Sequence, residues 1–227
     1  MHLGIREVAL LLGVPEKTVT RFIKQEGLPA VNVGGRYHFN RTEILEWATQ
    51  RQIPVSSSMF DGETAVSLQK ALIAGGIRYG VAGDTRDAVL ETALDLMPIP
   101  ESVDKSFILQ VLKAREAQCS TGIGNGIAIP HVRNPIILGI PEPMVTICFL
   151  TKGVEFGALD GMPVHTLFMM ISPMVNLHLN LLARLAFALR TPAFMDTVTK
   201  RRSEQEILQQ AFLVDAGLLS GQPVSNP

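Results

Sequence analysis

The chain has 227 residues, 47% of them hydrophobic and 18% charged, with a formal net charge of −1. That balance belongs to a globular protein rather than a disordered one, and it supplies no global field to recruit nucleic acid. Its two cysteines, Cys119 and Cys148, are far apart, which excludes a disulfide framework and a CxxC zinc pair. The most apolar stretch, residues 136–150, is interrupted by Pro141, Glu142 and Pro143 and is too short to span a bilayer. The N-terminus meets charged residues too early for a secretory signal. A cytoplasmic protein with no membrane contact, no metal and no cofactor is expected.

The first predicted helix covers Ile5–Leu12, with Val8, Ala9 and Leu12 on one face. Gly13-Val14-Pro15 breaks it, and Pro15 suits the first turn of a new helix. Val19, Phe22 and Ile23 then give a helical face at i, i+3 and i+4. The other face offers Lys17, Thr18, Thr20, Arg21, Lys24 and Gln25. Gly27-Leu28-Pro29 ends this helix. Two short helices around a tight turn, the second polar outside, make a helix-turn-helix pattern. Gly34-Gly35 between β-prone residues predicts a hairpin with Arg36, Tyr37 and His38 as a wing. Asn40 is placed to cap a third helix, with Glu43 at the capping-box position and Ile44, Leu45, Trp47 and Ala48 facing a core. Residues 1–52 hold seven Lys/Arg and five Asp/Glu, a net +2. Affinity for DNA scales with the phosphates neutralised, so a homodimer with two recognition helices is the expected DNA-binding form.

Residues 4–50 resemble the excisionase/MerR-type winged helix-turn-helix, including the Leu-Gly turn, the Gly-Leu-Pro exit and the terminal Trp47. The resemblance implies DNA binding by the helix Glu16–Gln25. Lys17, Thr18, Thr20, Arg21, Lys24 and Arg36 are the expected contacts. Residues 53–63, short, polar and containing Pro54, form a predicted linker.

Beyond the linker, helical and strand patterns alternate, which indicates an α/β layered domain over residues 64–216. Leu68, Ala71 and Leu72 mark a helix ended by Gly75-Gly76. Asp84 is read as the cap of the next helix, which Pro98 stops. Ser102 opens another, with Arg115 and Glu116 near its end. Strands are expected at 127–129, 145–150 and Val164–Ile171. Pro173 and Asn176 open a Leu-rich helix with His178 in its first turn, Ser203 caps the last helix, and residues 217–227 form a loose tail.

The stretch Cys119-Ser-Thr-Gly-Ile-Gly-Asn-Gly-Ile-Ala-Ile-Pro-His131 places Gly122, Gly124 and Gly126 before a strand that ends in Pro130 and a histidine. Glycines let backbone N–H groups approach a ligand closely, and successive N–H groups make a concavity suited to phosphate. A neutral imidazole is a competent nucleophile. The spacing alone fits either a phosphoryl-handling histidine or a glycine turn before an ordinary surface histidine.

Residues from about 68 to 212 resemble the fructose/mannitol-type enzyme IIA domain of the bacterial phosphotransferase system, nearest its nitrogen-regulatory branch. The matching segments are "AREAQCSTGIGNGIAIPH", "VEFGALDGMPVHTLFMMISP" and "HLNLLARLA". The resemblance implies a mixed sheet flanked by helices. It implies that His131 accepts a phosphoryl group from an HPr-type phosphocarrier protein, supported by His178 and Arg115. Gly124, Asn125, Gly126 and Arg133 are the expected further phosphate contacts. Val132 departs from the glycine that many IIA domains carry after the histidine. The expected function is a regulatory IIA protein that couples phosphorylation to DNA binding. The alternative is a DNA-binding regulator that senses a phosphate-like ligand without being phosphorylated.

Overall fold

The structure is a computed structural model that describes residues 2–51, 53–55, 66–132 and 140–220. The N-terminal module runs β1 (His2–Leu3), α1 (Ile5–Leu12), α2 (Glu16–Gln25), β2 (Val31–Val33), β3 (Arg36–Asn40) and α3 (Arg41–Gln50). Gly13 ends α1 in the left-handed conformation, φ 62°, which costs glycine no Cβ clash. β2 and β3 pair antiparallel, Val33 opposite Arg36. Gly34 and Gly35 between them have φ of 58° and 82°, the geometry of a tight two-residue hairpin turn. β1 adds to the far side of β3, completing a small winged helix-turn-helix. Asn40 caps α3, its side chain accepting from the Thr42 N–H. Trp47 closes the module's core, 5.1 Å from the Phe22 ring, with its indole N–H donating to the Glu26 carbonyl.

α3 departs from the expected one-sided pattern. Ile44, Leu45, Trp47 and Ala48 are buried, but so are Glu46 and Thr49. A helix buried on all sides has two partners. One is the module's own core; the other is the second domain, whose β5 and α7 it packs against.

The second domain contains α4 (Leu68–Gly75), β4 (Ile77–Val81), α5 (Arg86–Asp95), α6 (Lys105–Gln118), β5 (Gly122–Gly124), β6 (Ile127–Ala128), β7 (Met144–Val154), β8 (Val164–Ile171), α7 (Val175–Arg190), α8 (Pro192–Thr199) and α9 (Glu204–Ser220). Its sheet has the order β4-β7-β8-β6-β5. The β4–β7 and β6–β8 pairs are parallel, and the β7–β8 and β5–β6 pairs antiparallel. It is the expected mixed sheet flanked by helices. Central strands are near-continuous apolar runs because both faces are covered. One face, with Cys148, Leu150, Leu167 and Met169, packs against residues of α5 and α6. The other, with Ile147, Phe149, Phe168 and Met170, joins α4, α7, α8 and α9. That second cluster is continuous with the core of the N-terminal module, and Ile53 and Val55 pack against it.

Several local expectations shift. The cap of α5 is Thr85, not Asp84, and the cap of α6 is Asp104, not Ser102, its carboxylate accepting from the Phe107 N–H. In both cases the oxygen nearer the first turn wins, since a cap must reach the N–H two or three residues on. α9 continues past Gly217 to Ser220, with Leu218 buried, so the helix takes in four residues expected as tail. β4 was not expected from the residue pattern. It is a short edge strand whose Arg78, Tyr79 and Gly80 are not buried, so it shows no apolar run.

Candidate functional site

β6 runs beside β8 and delivers Pro130-His131 to the sheet's end. The Pro130 carbonyl accepts from the Met170 N–H at 2.9 Å, and His131 forms a parallel bridge with Met170. The His131 ring is fixed by its own chain, with Nδ1 2.7 Å from the Ile129 carbonyl. A carbonyl only accepts, so Nδ1 carries a proton and donates it. Nε2 is therefore the nitrogen with the available lone pair.

Two elements far apart in sequence meet this ring. His178 lies in the first turn of α7, its ring centroid 5.2 Å from that of His131. Neither of its nitrogens has a hydrogen-bond partner. Its pKa is pushed down to about 3 by burial first, then by the neighbouring His131 and Arg115 against an opposing Glu46. His178 is therefore neutral at physiological pH. Arg115, in the last turn of α6, donates from Nη1 to the Cys119 carbonyl at 2.6 Å; its buried Nε has no partner. The loop after α6 is pinned by Glu116, whose carboxylate accepts from the Thr121 N–H and hydroxyl. A guanidinium beside two imidazoles, with buried polar nitrogens left over, suits an anion with several acceptor oxygens.

The fourth member of the cluster comes from the other domain. Glu46 of α3 receives Arg115 Nη2 at 3.0 Å on one oxygen and lies 3.3 Å from His131 Nε2 with the other. One turn on, Gln50 donates to the Ser120 carbonyl at 2.8 Å. Under α3, His131 is only 4% exposed, as is Glu46.

Of the residues expected at the site, the structure brings together His131, His178 and Arg115. Gly124, Asn125 and Gly126 form the tip of the β5–β6 hairpin, with Asn125 and Gly126 at φ 54° and 70°. The Asn125 N–H is committed to the Asp160 carboxylate at 2.8 Å, and the Gly126 carbonyl accepts from the His165 and Thr166 N–H groups. The bond to Asp160 takes the Asn125 N–H away from any phosphate at His131. Arg133 lies outside the described residues. Val132 is buried in the core beneath the α5–α6 face, which gives its branched side chain a packing role. In the N-terminal module, Lys17, Arg21, Lys24 and Arg36 are exposed, while Thr18 and Thr20 are half-buried. Among the described residues, no group of three His, Cys, Asp or Glu side chains could hold a metal. No helix there is long and apolar enough to cross a membrane.

Sequence reasoning missed Glu46, Gln50 and Glu116. Glu46 sits between apolar residues and reads as a solvated helix position. Its one signal is the face Glu46, Thr49, Gln50 and Ile53, which holds a single charge where a solvent face usually holds several.

Fold and sequence together define a phosphotransferase-system IIA domain joined to a helix-turn-helix. The family described as "Phosphoenolpyruvate-dependent sugar phosphotransferase system, EIIA 2" matches residues 74–211, and a helix-turn-helix domain family matches residues 3–52. The chain belongs to the EIIA 2 family. It is 34% identical over 156 residues to a nitrogen regulatory protein of Pseudomonas aeruginosa, covering 67% of this chain and 99% of that one. The nitrogen regulatory protein of Escherichia coli is 27% identical over 153 residues, covering 66% and 93%. The crystal structure of nitrogen regulatory protein IIA-Ntr from Neisseria meningitidis superposes with a TM-score of 0.53 at 26% identity, over 60% of this chain and 92% of that one.

Proposed function

We propose that this protein is a regulatory IIA component whose His131 accepts a phosphoryl group from an HPr-type phosphocarrier, and that the acquired charge controls a DNA-binding N-terminal domain. The observation that carries the reading is the tautomer of His131. Nδ1–H is held by the Ile129 carbonyl, so the Nε2 lone pair points into a site with a guanidinium on one side. In the transfer, the N–P bond of the carrier's phosphohistidine breaks and its electron pair returns to that ring nitrogen. The Nε2 lone pair of His131 forms the new N–P bond. Each ring keeps its proton on its other nitrogen, so no proton crosses.

Phosphoryl transfer asks the protein for position and charge compensation more than covalent help. Arg115 provides the fork for two equatorial oxygens. His178 is neutral and adds no positive charge; it supplies one N–H donor at a helix N-terminus, where anions are favoured. The nitrogen-regulatory relatives and the helix-turn-helix support a signalling role in the cytoplasm over sugar transport. α2 presents Lys17, Arg21 and Lys24 at i, i+4 and i+7, one exposed stripe. A homodimer placing two such stripes on DNA compensates for the small basic excess.

Incubation with a phosphorylated HPr-type carrier, followed by intact-mass measurement, tests the reading. A gain of one acid-labile phosphoryl group, absent in His131→Ala, is expected. An unchanged wild-type mass contradicts it.

A further inference from the structure

His131 has 4% of its surface exposed, yet a nucleophile that takes phosphate from another protein must meet that protein's phosphohistidine in line. What covers it is α3, and the side chain α3 places there is a carboxylate. We propose that Glu46 is an internal substitute for the phosphoryl group. It holds the helix-turn-helix domain on the unphosphorylated site, and phosphorylation of His131 expels it. This rests on the phosphoryl-acceptor reading above and adds how the phosphate is read out.

Three observations lead there. First, Glu46 occupies the anion position. Burying a carboxylate costs several kcal/mol unless it is paired, and its partner is Arg115 at 3.0 Å, the residue that would bind the phosphate. Second, the contact blocks the nucleophile. Glu46 Oε1 stands 3.3 Å from His131 Nε2, in the space an incoming phosphorus would have to enter in line with the Nε2 lone pair. Third, the substitute fits less well than the group it replaces. A carboxylate has two oxygens and one charge, and the buried Arg115 Nε is left with no partner, as are both His178 nitrogens. A phosphoryl group brings three oxygens and up to two charges.

Two anions cannot share this pocket, because like charges a few ångströms apart in a buried site repel strongly. A phosphoryl group on Nε2 would sit against Oε1 and compete for the same guanidinium. Phosphorylation and docking are therefore mutually exclusive. Gln50, one turn beyond Glu46, releases Ser120 in the same motion. The basic stripe of α2 stays exposed while α3 is docked. The lock thus governs where the DNA-binding face is held relative to the IIA domain, not whether it is covered.

The full-length wild type, Glu46→Gln and Glu46→Ala are each incubated with a phosphorylated HPr-type carrier. Initial rates are read by intact mass, and the radius of gyration of each unphosphorylated protein is read by small-angle X-ray scattering. The carrier reaches only the open fraction, so rate follows the open population. Both variants are expected to gain phosphate at least about ten-fold faster than wild type, with a larger radius. Glu46→Gln keeps the shape and loses only the charge, so it carries the test where Glu46→Ala does not fold. Equal rates in all three proteins with an unchanged radius overturn the lock and leave the phosphoryl-acceptor reading standing. No phosphate on any of the three overturns that reading, and the lock with it.

Discussion

Arg115 and Glu46 meet at 3.0 Å although one ends α6 of the IIA domain and the other lies mid-helix in the helix-turn-helix module. Both side chains are 4% exposed, so neither charge has water to fall back on. Breaking such a pair costs more than the pair contributes, because the remaining charge is stranded. Glu46 can regain water only by leaving the IIA domain, so Arg115→Ala should shift the N-terminal module toward its undocked state, read as a larger radius of gyration by small-angle X-ray scattering. Replacing both residues by apolar ones of similar size should bring back the compact radius. The Arg115→Ala protein should be slow in phosphotransfer although its site is open, since loss of a transition-state donor costs about 10²-fold or more. A wild-type or faster rate would make Arg115 purely structural.

His178 gives the protein an acid sensitivity with a defined sign. Its folded pKa of about 3 lies below the unfolded value of 6.5, so between those values the unfolded state binds the extra proton. Stability is full above about pH 6.5 and declines as pH falls toward 3, by up to about 1.4 kcal/mol per pH unit. His178→Gln should flatten urea midpoints between pH 6.5 and 4.5 relative to wild type and leave the difference between pH 7 and 8 unchanged. Parallel pH profiles for the two proteins would show that His178 takes up its proton as readily folded as unfolded.

A second buried ion pair braces the scaffold. Asp215 on α9 receives Arg184 of α7 at 3.0 Å. It also accepts the Leu68 and Gln69 N–H groups at the start of α4 and the Ser67 hydroxyl. One carboxylate thus ties three helices and satisfies donors that a helix N-terminus leaves open. Asp215→Ala should cost about 3–5 kcal/mol, whereas removing the exposed Lys152–Asp84 pair should leave the midpoint unmoved, as solvent screens such pairs. Denaturant titration of the two variants side by side checks the contrast.

For the N-terminal module, the electrostatic term is separable by salt. Each DNA phosphate that a variant no longer neutralises reduces the slope of log affinity against log salt by about 0.9. Lys17→Ala and Lys24→Ala should each lower the slope by about that much in fluorescence anisotropy on duplex DNA, with little dependence on sequence. An unchanged slope in both would contradict phosphate contact by α2.

What the sequence made legible followed its local rules. The helices Ile5–Leu12 and Glu16–Gln25, the Gly34-Gly35 hairpin and the apolar strands β7 and β8 are set by turn chemistry and periodicity. Arg115, His131 and His178 stand out through family motifs. The hidden parts depend on long-range placement. The glycines of 122–126 suggest a nest, but Asp160, more than thirty residues on, claims the Asn125 N–H and makes them a hairpin tip. Glu46 reads as solvated because periodicity describes a helix against one partner, and α3 has two. No spacing rule announces that a charge in one domain pairs with a cation in another.

The most direct test follows the two domains of the wild-type protein by 15N relaxation before and after phosphorylation. Docked through Glu46, the N-terminal module and the IIA domain tumble as one body and share a correlation time. With His131 phosphorylated, the two domains should separate into two shorter correlation times, while His131→Ala treated identically keeps the single value. A shared correlation time that persists in protein proven by mass to carry phosphate on His131 would contradict the mutual exclusion of phosphate and Glu46.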